Sequence, residues 1–502
     1  MSKELEEYLK SGKINATMAS YVASLEKIKE VSPEVASSIV CELRDQRSYL
    51  KLIASENYCS PSVQFAMGNL LTDKYCEGYP YHRFYSGCDN VDYIESYADE
   101  LACKLFKADH AYVQPHSGAD ANLCAYWAII NHVVQNPALE KMGITDVSKL
   151  TRDQWNEIRK LTGNQRLLGL DYYSGGHLTH GYRQNISAQM FDAYSYSVDK
   201  KTGLLDYDEI EKMAMEIKPL ILLAGYSAYP RLIDFKRMSE IAKKCHAVFM
   251  VDMAHFCGLV AGKVFEGIYN PVKWADVVTT TTHKTLRGPR GGMILCKEEF
   301  AESVDKGCPL VIGGPLPHVM AAKAVALAEA GKPEFQEYAA AIVKNAKAMA
   351  SYFMQDGIKI QTNGTDNHLM LVDVTQFGIN GKQAEAALRE CGVTLNRNAL
   401  PYDLNGPWYT SGLRIGTPAV TTLKMGEREM KEIADIISFV LKNIKPKILT
   451  KGSNAGEPSK VKYLLDESVK EEANKRVHVL LKKFLLYPEL DLKFLEDSFQ
   501  IK

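Results

Sequence analysis

From about residue 51 to residue 330, short apolar runs alternate with stretches of helical periodicity, the pattern of an α/β domain built on a largely parallel sheet. Residues 249–251 and 277–282 are its clearest buried strands. Ahead of this domain, Ser32, Pro33 and Glu34 read as an N-cap, a first-turn proline and a first-turn acid. They predict a helix through Val35, Ile39, Leu43 and Leu50, so that residues 1–50 form a helical arm. Residues 135–164 are polar and helix-prone, with apolar points at Leu150, Trp155 and Ile158, and read as an insertion packed on the surface of the 51–330 domain. After Gly331 the pattern changes to a helix (335–353), an apolar strand (369–374) and another helix (382–390), predicting a smaller α+β domain over residues 331–502. Residues 452–457 read as a linker. Beyond them Leu465, Val469, Ala473, Val477, Leu481 and Phe484 mark one amphipathic helix that ends before Pro488 and packs its stripe into the core.

Composition narrows the class. A chain of 502 residues exceeds one small core and fits two or three domains. Lys+Arg 60 against Asp+Glu 61 leaves a net charge of -1, so no overall field draws the protein toward nucleic acid or an anionic membrane. Residues 1–10 are acidic and polar and lack the apolar core of a signal peptide. The most apolar stretches, 219–225 and 247–261, are short or interrupted by Asp252 and His255, so neither spans a bilayer. A cytoplasmic location is expected. The 11 cysteines, scattered from Cys41 to Cys391 with no C-x-x-C pair, argue against zinc and against a disulfide framework. No metal is expected.

Five segments carry candidate chemistry. In VVTTTTHKTLRGPRGG (277–292) a β-branched strand runs into a turn that presents His283 and Lys284, and a lysine there reaches a ligand at the strand end. Four consecutive threonine hydroxyls need hydrogen-bond partners, which a polar ligand would supply; an edge strand with a solvated lysine is the competing reading. In VFMVDMAHFCG (248–258) an apolar strand delivers Asp252, with His255 three residues on. A carboxylate at the end of a buried strand must be paired, and in pyridoxal-phosphate (PLP) enzymes its partner is the protonated pyridine nitrogen. An Asp that merely caps the next turn is commoner in isolation, but strand, Asp, about thirty residues, strand, Lys is a rare arrangement. QPHSGADAN (114–122) opens a helix with Ser117 and Gly118, whose free N–H groups and helix dipole suit a phosphate, though an ordinary cap has the same appearance. TSGLRIGTPA (410–419) sets a lone Arg414 in an apolar, glycine-rich stretch, better suited to a bidentate grip on an amino-acid carboxylate than to a surface ion pair. Losing such a desolvated pairing costs about 2–5 kcal/mol of binding. KYCEGYPYHRFYSG (74–87) crowds Tyr75, Tyr79, Tyr81, Phe84 and Tyr85 around Glu77 in a loop, where an aromatic wall would raise the carboxyl pKa and let it exchange protons. The alternative is a packing loop with Glu77 facing solvent.

Together these segments resemble the serine hydroxymethyltransferase family of fold-type-I PLP enzymes. LIASEN (52–57), the KYCEGYP loop, QPHSG, GGHLTHG (175–181), VDMAH, TTTTHKTLRGPRGG and TSGLRIGTPA stand in the family's order, and the resemblance runs from about Pro33 to Pro488. It implies a large PLP-binding domain with a mostly parallel seven-stranded sheet flanked by helices, and a smaller α+β domain. The implied reaction moves the serine side-chain carbon to tetrahydrofolate, giving glycine and methylenetetrahydrofolate. Lys284 would carry PLP as a Schiff base, Asp252 would hold the pyridine nitrogen and His177 would stack on the ring. Ser117, Gly118 and Ala119 would bind the phosphate, and Ser227 and His255 the ring oxygen or groups nearby. Ser55, Arg414 and Tyr85 would hold the substrate carboxylate, Glu77 would manage protons, and Thr281 and Arg290 would complete the site around the lysine. The resemblance also assigns folate contacts to Tyr172, Gly176, Leu178 and Asn398. Tyr75, Glu77, Gly313 and Gly314 would reach a neighbouring subunit, so a homodimer or tetramer is expected.

Some positions depart from the family's pattern. Cys308, Pro309, Leu310, Val311 and Ile312 precede the glycine pair where the family usually has Phe-Pro-Gly and two residues ending in Gln, and Asp120 stands where glutamine is usual. Tyr172 replaces a leucine and Phe84 a tyrosine of the folate pocket. A folate-independent PLP aldolase or racemase is therefore a competing reading, and a non-catalytic or RNA-binding relative a further one. The second is opposed by the joint presence of Lys284, Asp252, Glu77 and Arg414.

Overall fold

The N-terminal arm forms as its caps dictate. Ser32 accepts from the Val35 N–H and Pro33 opens α1 (Pro33–Ser48). An earlier helix, Ala16–Val31, lies against it and buries Met18, Val22 and Leu25. The computed structural model describes residues 3–12, 14–451 and 455–500.

A seven-stranded sheet organises the large domain. Its strands are β1 (His110–Tyr112), β2 (Arg166–Leu170), β3 (Asp192–Tyr196), β4 (Ile221–Gly225), β5 (Val248–Asp252), β6 (Val277–Thr281) and β7 (Gly292–Cys296). The spatial order is β1-β7-β6-β5-β4-β2-β3; β7 is antiparallel to both neighbours and every other pair is parallel. Every residue of β4, β5, β6 and β7 is buried, as expected of strands covered on both faces. Ligands in such sheets bind outside the carboxyl ends of the parallel strands, and β5 ends on Asp252.

Helices α2 (Asp89–Phe106), α3 (Gly118–Ile130) and α4 (Pro317–Ala330) cover the β1–β7 side. Helix α3 continues through a π-turn at Asn131–Gln135 into Asn136–Lys141, so the 135–164 segment begins as an extension of α3. It ends in a helix, Arg152–Thr162, started by a Thr151–Gln154 capping box and anchored by buried Ile158, with Trp155 exposed.

Beyond α4, α5 (Pro333–Gln355) leads into an antiparallel sheet of β8 (Leu369–Asp373), β9 (Asn396–Asn398) and β10 (Gly412–Gly416), with β10 in the middle. Helices α6 (Gly381–Glu390), α7 (Glu427–Asn443) and α8 (Glu467–Lys483) pack around it. Leu50 does not end the arm helix. With Lys51 it pairs in parallel with Val393 and Thr394, and both Leu50 and Leu52 sit in the core beside Phe353 and Met370.

The C-terminal region corrects one expectation and adds an element. Lys445–Ile448 and Pro458–Leu464 form an antiparallel hairpin closed by bonds between Leu449 and Glu457 and between Gly456 and Leu449, so Gly456 and Glu457, read as part of a linker, help to close a hairpin. Glycine, serine and asparagine are turn formers as much as linker residues; positions 452–454 lie outside the described residues. After α8, a further helix, α9 (Leu492–Phe499), folds back on the arm. Arg47 of α1 fixes the intervening chain by donating to the carbonyls of Leu486, Tyr487 and Leu490. Among the described residues no helix is long and apolar enough to cross a membrane.

Candidate active site

A cavity of about 760 Å³ opens at the carboxyl ends of β5 and β6, walled by the 117–119 turn, the 172–178 loop, Ser55 and the small-domain sheet. Ser55 is set there by close backbone packing: a Cβ on Gly416 would lie 2.4 Å from the Ala54 Cα, so only glycine lets β10 approach the 52–57 turn.

Asp252 is buried at the end of β5. Its Oδ2 accepts from Asn122 Nδ2 at 3.0 Å and lies 3.3 Å from His180 Nε2, while Oδ1 accepts from the Ala254 N–H at 3.0 Å. Burial alone would raise its pKa, but the His180 contact, the nearby His177 and the Asn122 bond outweigh it and hold the carboxylate well below the usual range. Asn122 is fixed in turn by donating to Thr179 Oγ1 (2.7 Å) and accepting from Thr279 Oγ1 (2.6 Å). Neither Asn122 nor His180 stood out in the sequence. Both lay within motifs that did, one in QPHSGADAN and the other in GGHLTHG.

Lys284 lies beyond the end of β6 in the same cavity. Burial pulls its amine down to about 8, with Asp252 opposing the shift and Arg414 and Arg290 adding to it. The threonines before it do not wait for a ligand. Thr279 donates to Asn122, Thr280 to the Thr281 carbonyl, Thr281 to the Ala254 carbonyl at 3.2 Å and Thr282 to the Pro289 carbonyl at 2.6 Å. The expectation that a ligand supplies their partners is therefore corrected: groups of the protein itself satisfy all four, and only Thr281 of them lines the cavity.

In the same cavity lining, Ser117 caps α3 by accepting from the Asp120 N–H at 3.1 Å, and the Gly118 and Ala119 N–H groups stand at the helix start, where no intrahelical acceptor reaches them. Gly118 has no room for a side chain, since a Cβ would come within 2.7 Å of Thr281 Cγ2. His177 lines the cavity beside them; burial depresses its pKa to about 4, so the ring is neutral, with Nδ1 set 2.7 Å from Thr179 Oγ1.

On the small-domain side, β10 presents Arg414. It donates to the Ser227 carbonyl (2.7 Å) and to Asn396 Oδ1 (3.1 Å), and no carboxylate among the described residues pairs with it. Burial lowers its pKa to about 10, which still leaves it charged at neutral pH. His255 is buried with Nδ1 3.2 Å from Nε2 of His368, a second histidine that sequence reading did not single out because it lies 113 residues away. Burial depresses both far below the usual histidine value, so the pair is neutral. Tyr172, Gly176, Leu178, Asn398 and Arg290 also line the cavity.

One group of candidates does not join them. Tyr75, Glu77, Tyr85, Gly313 and Gly314 do not line the cavity of their own chain. Tyr75 and Tyr85 stack edge to face at 4.8 Å beside Gly314, and Phe84 is 70 % exposed.

The arrangement fits PLP on its own chemistry: an ionised buried carboxylate, an amine with a lowered pKa, free amides at a helix start and a guanidinium with no carboxylate partner face one cavity. Comparison with known proteins agrees. The sequence model of the family described as serine hydroxymethyltransferase matches residues 28–163 and 154–437. The chain is similar to the serine hydroxymethyltransferase of Treponema pallidum (strain Nichols), 59 % identical over 97 % of this chain and 84 % of that one. It is also similar to that of Salinispora tropica, 54 % identical over 95 % and 99 %, and to that of Chlamydia trachomatis serovar D, 50 % identical over 99 % and 100 %. With this geometry and these matches, the chain belongs to the serine hydroxymethyltransferase family of PLP enzymes.

Proposed function

We propose that the protein interconverts serine and glycine by exchanging the serine hydroxymethyl carbon with tetrahydrofolate, using PLP. The observation that carries this reading is Arg414, a cavity-facing guanidinium without a carboxylate partner, set across from Lys284 and Asp252. It offers an amino-acid carboxylate its bidentate grip while leaving the α-carbon side of the substrate toward the lysine.

PLP, when bound, supplies an electron sink that weakens the bonds at the amino acid's α-carbon. The residues do the rest. Lys284 holds the cofactor through its amine, and Asp252, kept anionic by His180 and Asn122, keeps the ring nitrogen protonated. Ser117, Gly118 and Ala119 offer donors to the phosphate. His177, being neutral, covers the ring without repelling its charge. Ser55 assists Arg414, and Ser227, His255, Thr281 and Arg290 fix groups around the lysine. Tyr172, Gly176, Leu178 and Asn398 wall the folate side.

Glu77, Tyr75, Tyr85 and the Gly313–Gly314 turn act in a neighbouring copy's cavity, which makes the assembly a homodimer or a pair of dimers. This is supported by their position outside their own cavity and by the exposed aromatic rim of their loop. We also read residues 1–50, 51–330 and 331–502 as arm, large domain and small domain, and place the protein in the cytoplasm, a reading supported by its 11 unpaired cysteines.

The test is direct. Purified protein given serine and tetrahydrofolate should form glycine and methylenetetrahydrofolate. Cleavage of other β-hydroxy amino acids with no folate-dependent turnover of serine would replace this reading with that of an aldolase.

A further inference from the structure

Lys323 takes no part in the cavity, yet it is 1 % exposed in the middle of α4. Its Nζ donates to three backbone carbonyls: Val113 at 2.5 Å, Pro115 at 2.9 Å and Gly292 at 2.9 Å. Val113 and Pro115 belong to the segment that leaves β1 and runs directly into Ser117. Gly292 is the first residue of β7, where the chain returns from the Lys284 turn. We propose that Lys323 is the positioning residue of the phosphate cup, tying the strand that enters the Ser117–Ala119 turn to the strand that leaves the lysine turn. The proposal rests on reading that turn as the phosphate site.

Several features make this junction depend on a lysine. The paired register of β1 and β7 ends at Tyr112 and Ile294, and beyond it Lys323 of α4 joins the two segments by donating to carbonyls of both. The backbones are already in contact: Gly292 N–H donates to the Pro115 carbonyl at 2.8 Å, and a Cβ on Gly292 would lie 2.1 Å from the Ser117 carbonyl oxygen. A Cβ on Gly291 would lie 2.5 Å from Lys323 Cε, so the glycine pair leaves space for the lysine stem as well as for the cup. Three donors on one tetrahedral nitrogen meet three carbonyls that converge on it, a geometry that neither methionine nor leucine supplies. Burying an ammonium is costly. Burial draws this one down to about 7, and the buried carboxyls of Glu95 and Asp99 oppose the shift. A group kept at that cost, away from solvent and substrate, has its use in the three carbonyls it fixes.

Binding of two ligands that differ only in the phosphate reads this out. Full-length cofactor-free protein is titrated with pyridoxal 5′-phosphate and with pyridoxal, following quenching of protein fluorescence. Lys323→Met should weaken pyridoxal 5′-phosphate about tenfold or more while pyridoxal changes less than about threefold, because only the phosphate meets the displaced amides. Lys323→Gln, which keeps two N–H donors, should fall between, and it decides by the same ratio if the methionine variant does not fold. Equal weakening of both ligands, or no weakening of either, overturns the proposal. Ser117→Ala separates it from the reading beneath it. If Ser117→Ala lowers the ratio of the two affinities and the Lys323 variants do not, the cup stands and the role of Lys323 falls. If Ser117→Ala leaves the ratio unchanged, the phosphate site itself is misplaced.

Discussion

Two regions of the molecule hold the residues on which this chemistry rests, and they are built in opposite ways. Around the ends of β5 and β6, Asp252, Lys284, His177 and Arg414 are enclosed, each held by neighbours or turned toward one cavity; burial has lowered the pKa values of the last three, and polar neighbours have lowered that of Asp252 against burial. In the 74–87 loop the tips are open: Tyr81, Phe84 and Tyr85 are 73 %, 70 % and 48 % exposed, and Leu310 nearby is 62 % exposed. The foot of this loop is nevertheless firmly fixed. Arg83 pairs with Asp92 at 2.8 Å and Glu95 at 2.5 Å and donates to the Cys76 and Gly78 carbonyls, while Gln114 holds both Gly78 and Glu95. An apolar rim on a rigid base is made to be covered. The proposed assembly would bring the open loop of one chain over the enclosed cavity of its neighbour.

That contrast predicts a large effect. Lys284→Ala and Glu77→Gln should each lower turnover of serine, the first by on the order of a thousandfold or more because its amine is the point of covalent attachment. Co-expressed in equal amounts, the two variants should recover about a quarter of the parent activity, since half the dimers are mixed and each mixed dimer contains one intact composite site. Steady-state assay of the mixed preparation decides it. No recovery would mean that Glu77 serves its own chain's cavity.

Within the enclosed region, Arg414→Ala should cost about 2–5 kcal/mol of carboxylate binding, raising the KM for serine and the Kd for glycine by roughly 30-fold or more. A lysine in the same place would restore charge but not the bidentate geometry, so Arg414→Lys should recover only part of the loss. Glycine titrations of both variants measure this. Unchanged affinity would detach the guanidinium from the substrate.

A smaller effect follows from the amine. With its pKa drawn down to about 8, Lys284 is protonated below that pH and reactive above it. Capture of PLP by cofactor-free protein, divided by the rate for N-acetyl-lysine to remove the cofactor's own titration, should stay level below about pH 8, where both amines gain free base in parallel, and fall about tenfold per pH unit above it. An ordinary lysine would hold that ratio level to above about pH 10. Asp252→Asn removes the anion that favours the ammonium, so the break should move to lower pH. Stopped-flow absorbance records both curves.

What the sequence made legible follows range of interaction. Strands β5 and β6 were readable because their apolar runs are local, and α1 because Ser32, Pro33 and Glu34 sit side by side. The residues at the strand ends could be named because each ends a run or opens a turn. What escaped depends on distant partners. The Thr279–Thr282 hydroxyls are satisfied by Asn122, the Thr281 carbonyl, Ala254 and Pro289, and the Thr279–Asn122 and Thr281–Ala254 pairings join segments far apart in sequence. His368 meets His255 across 113 residues, and the chain leading into α9 is held by Arg47 across more than four hundred. The hairpin at 445–464 was hidden because a turn and a linker share composition.

The smallest effect concerns the mouth of the cavity, where the two regions differ again. Tyr172 lines the cavity of its own chain, whereas Phe84 belongs to the open loop. The resemblance marks both as departures from the family's usual residues, and their placement separates their consequences. Tyr172→Leu changes a wall that is present in every copy. A single pocket contact of this kind is worth about 1–3 kcal/mol, so tetrahydrofolate affinity should shift between roughly fivefold and a hundredfold. Phe84→Tyr acts only if a neighbouring copy brings residue 84 over the cavity, and then only by adding one hydroxyl at an exposed edge. Its effect should be smaller, and it should vanish in any variant that no longer dimerises. Folate-independent exchange of the glycine α-proton provides the control, because it needs the enclosed residues and not the folate wall. Calorimetric titration of tetrahydrofolate into both variants, alongside proton exchange, resolves the pair. A change in folate affinity with Tyr172→Leu but unchanged proton exchange keeps the enclosed site and the folate wall separate, and a change in both would show that Tyr172, beside Arg414, also shapes the amino-acid subsite.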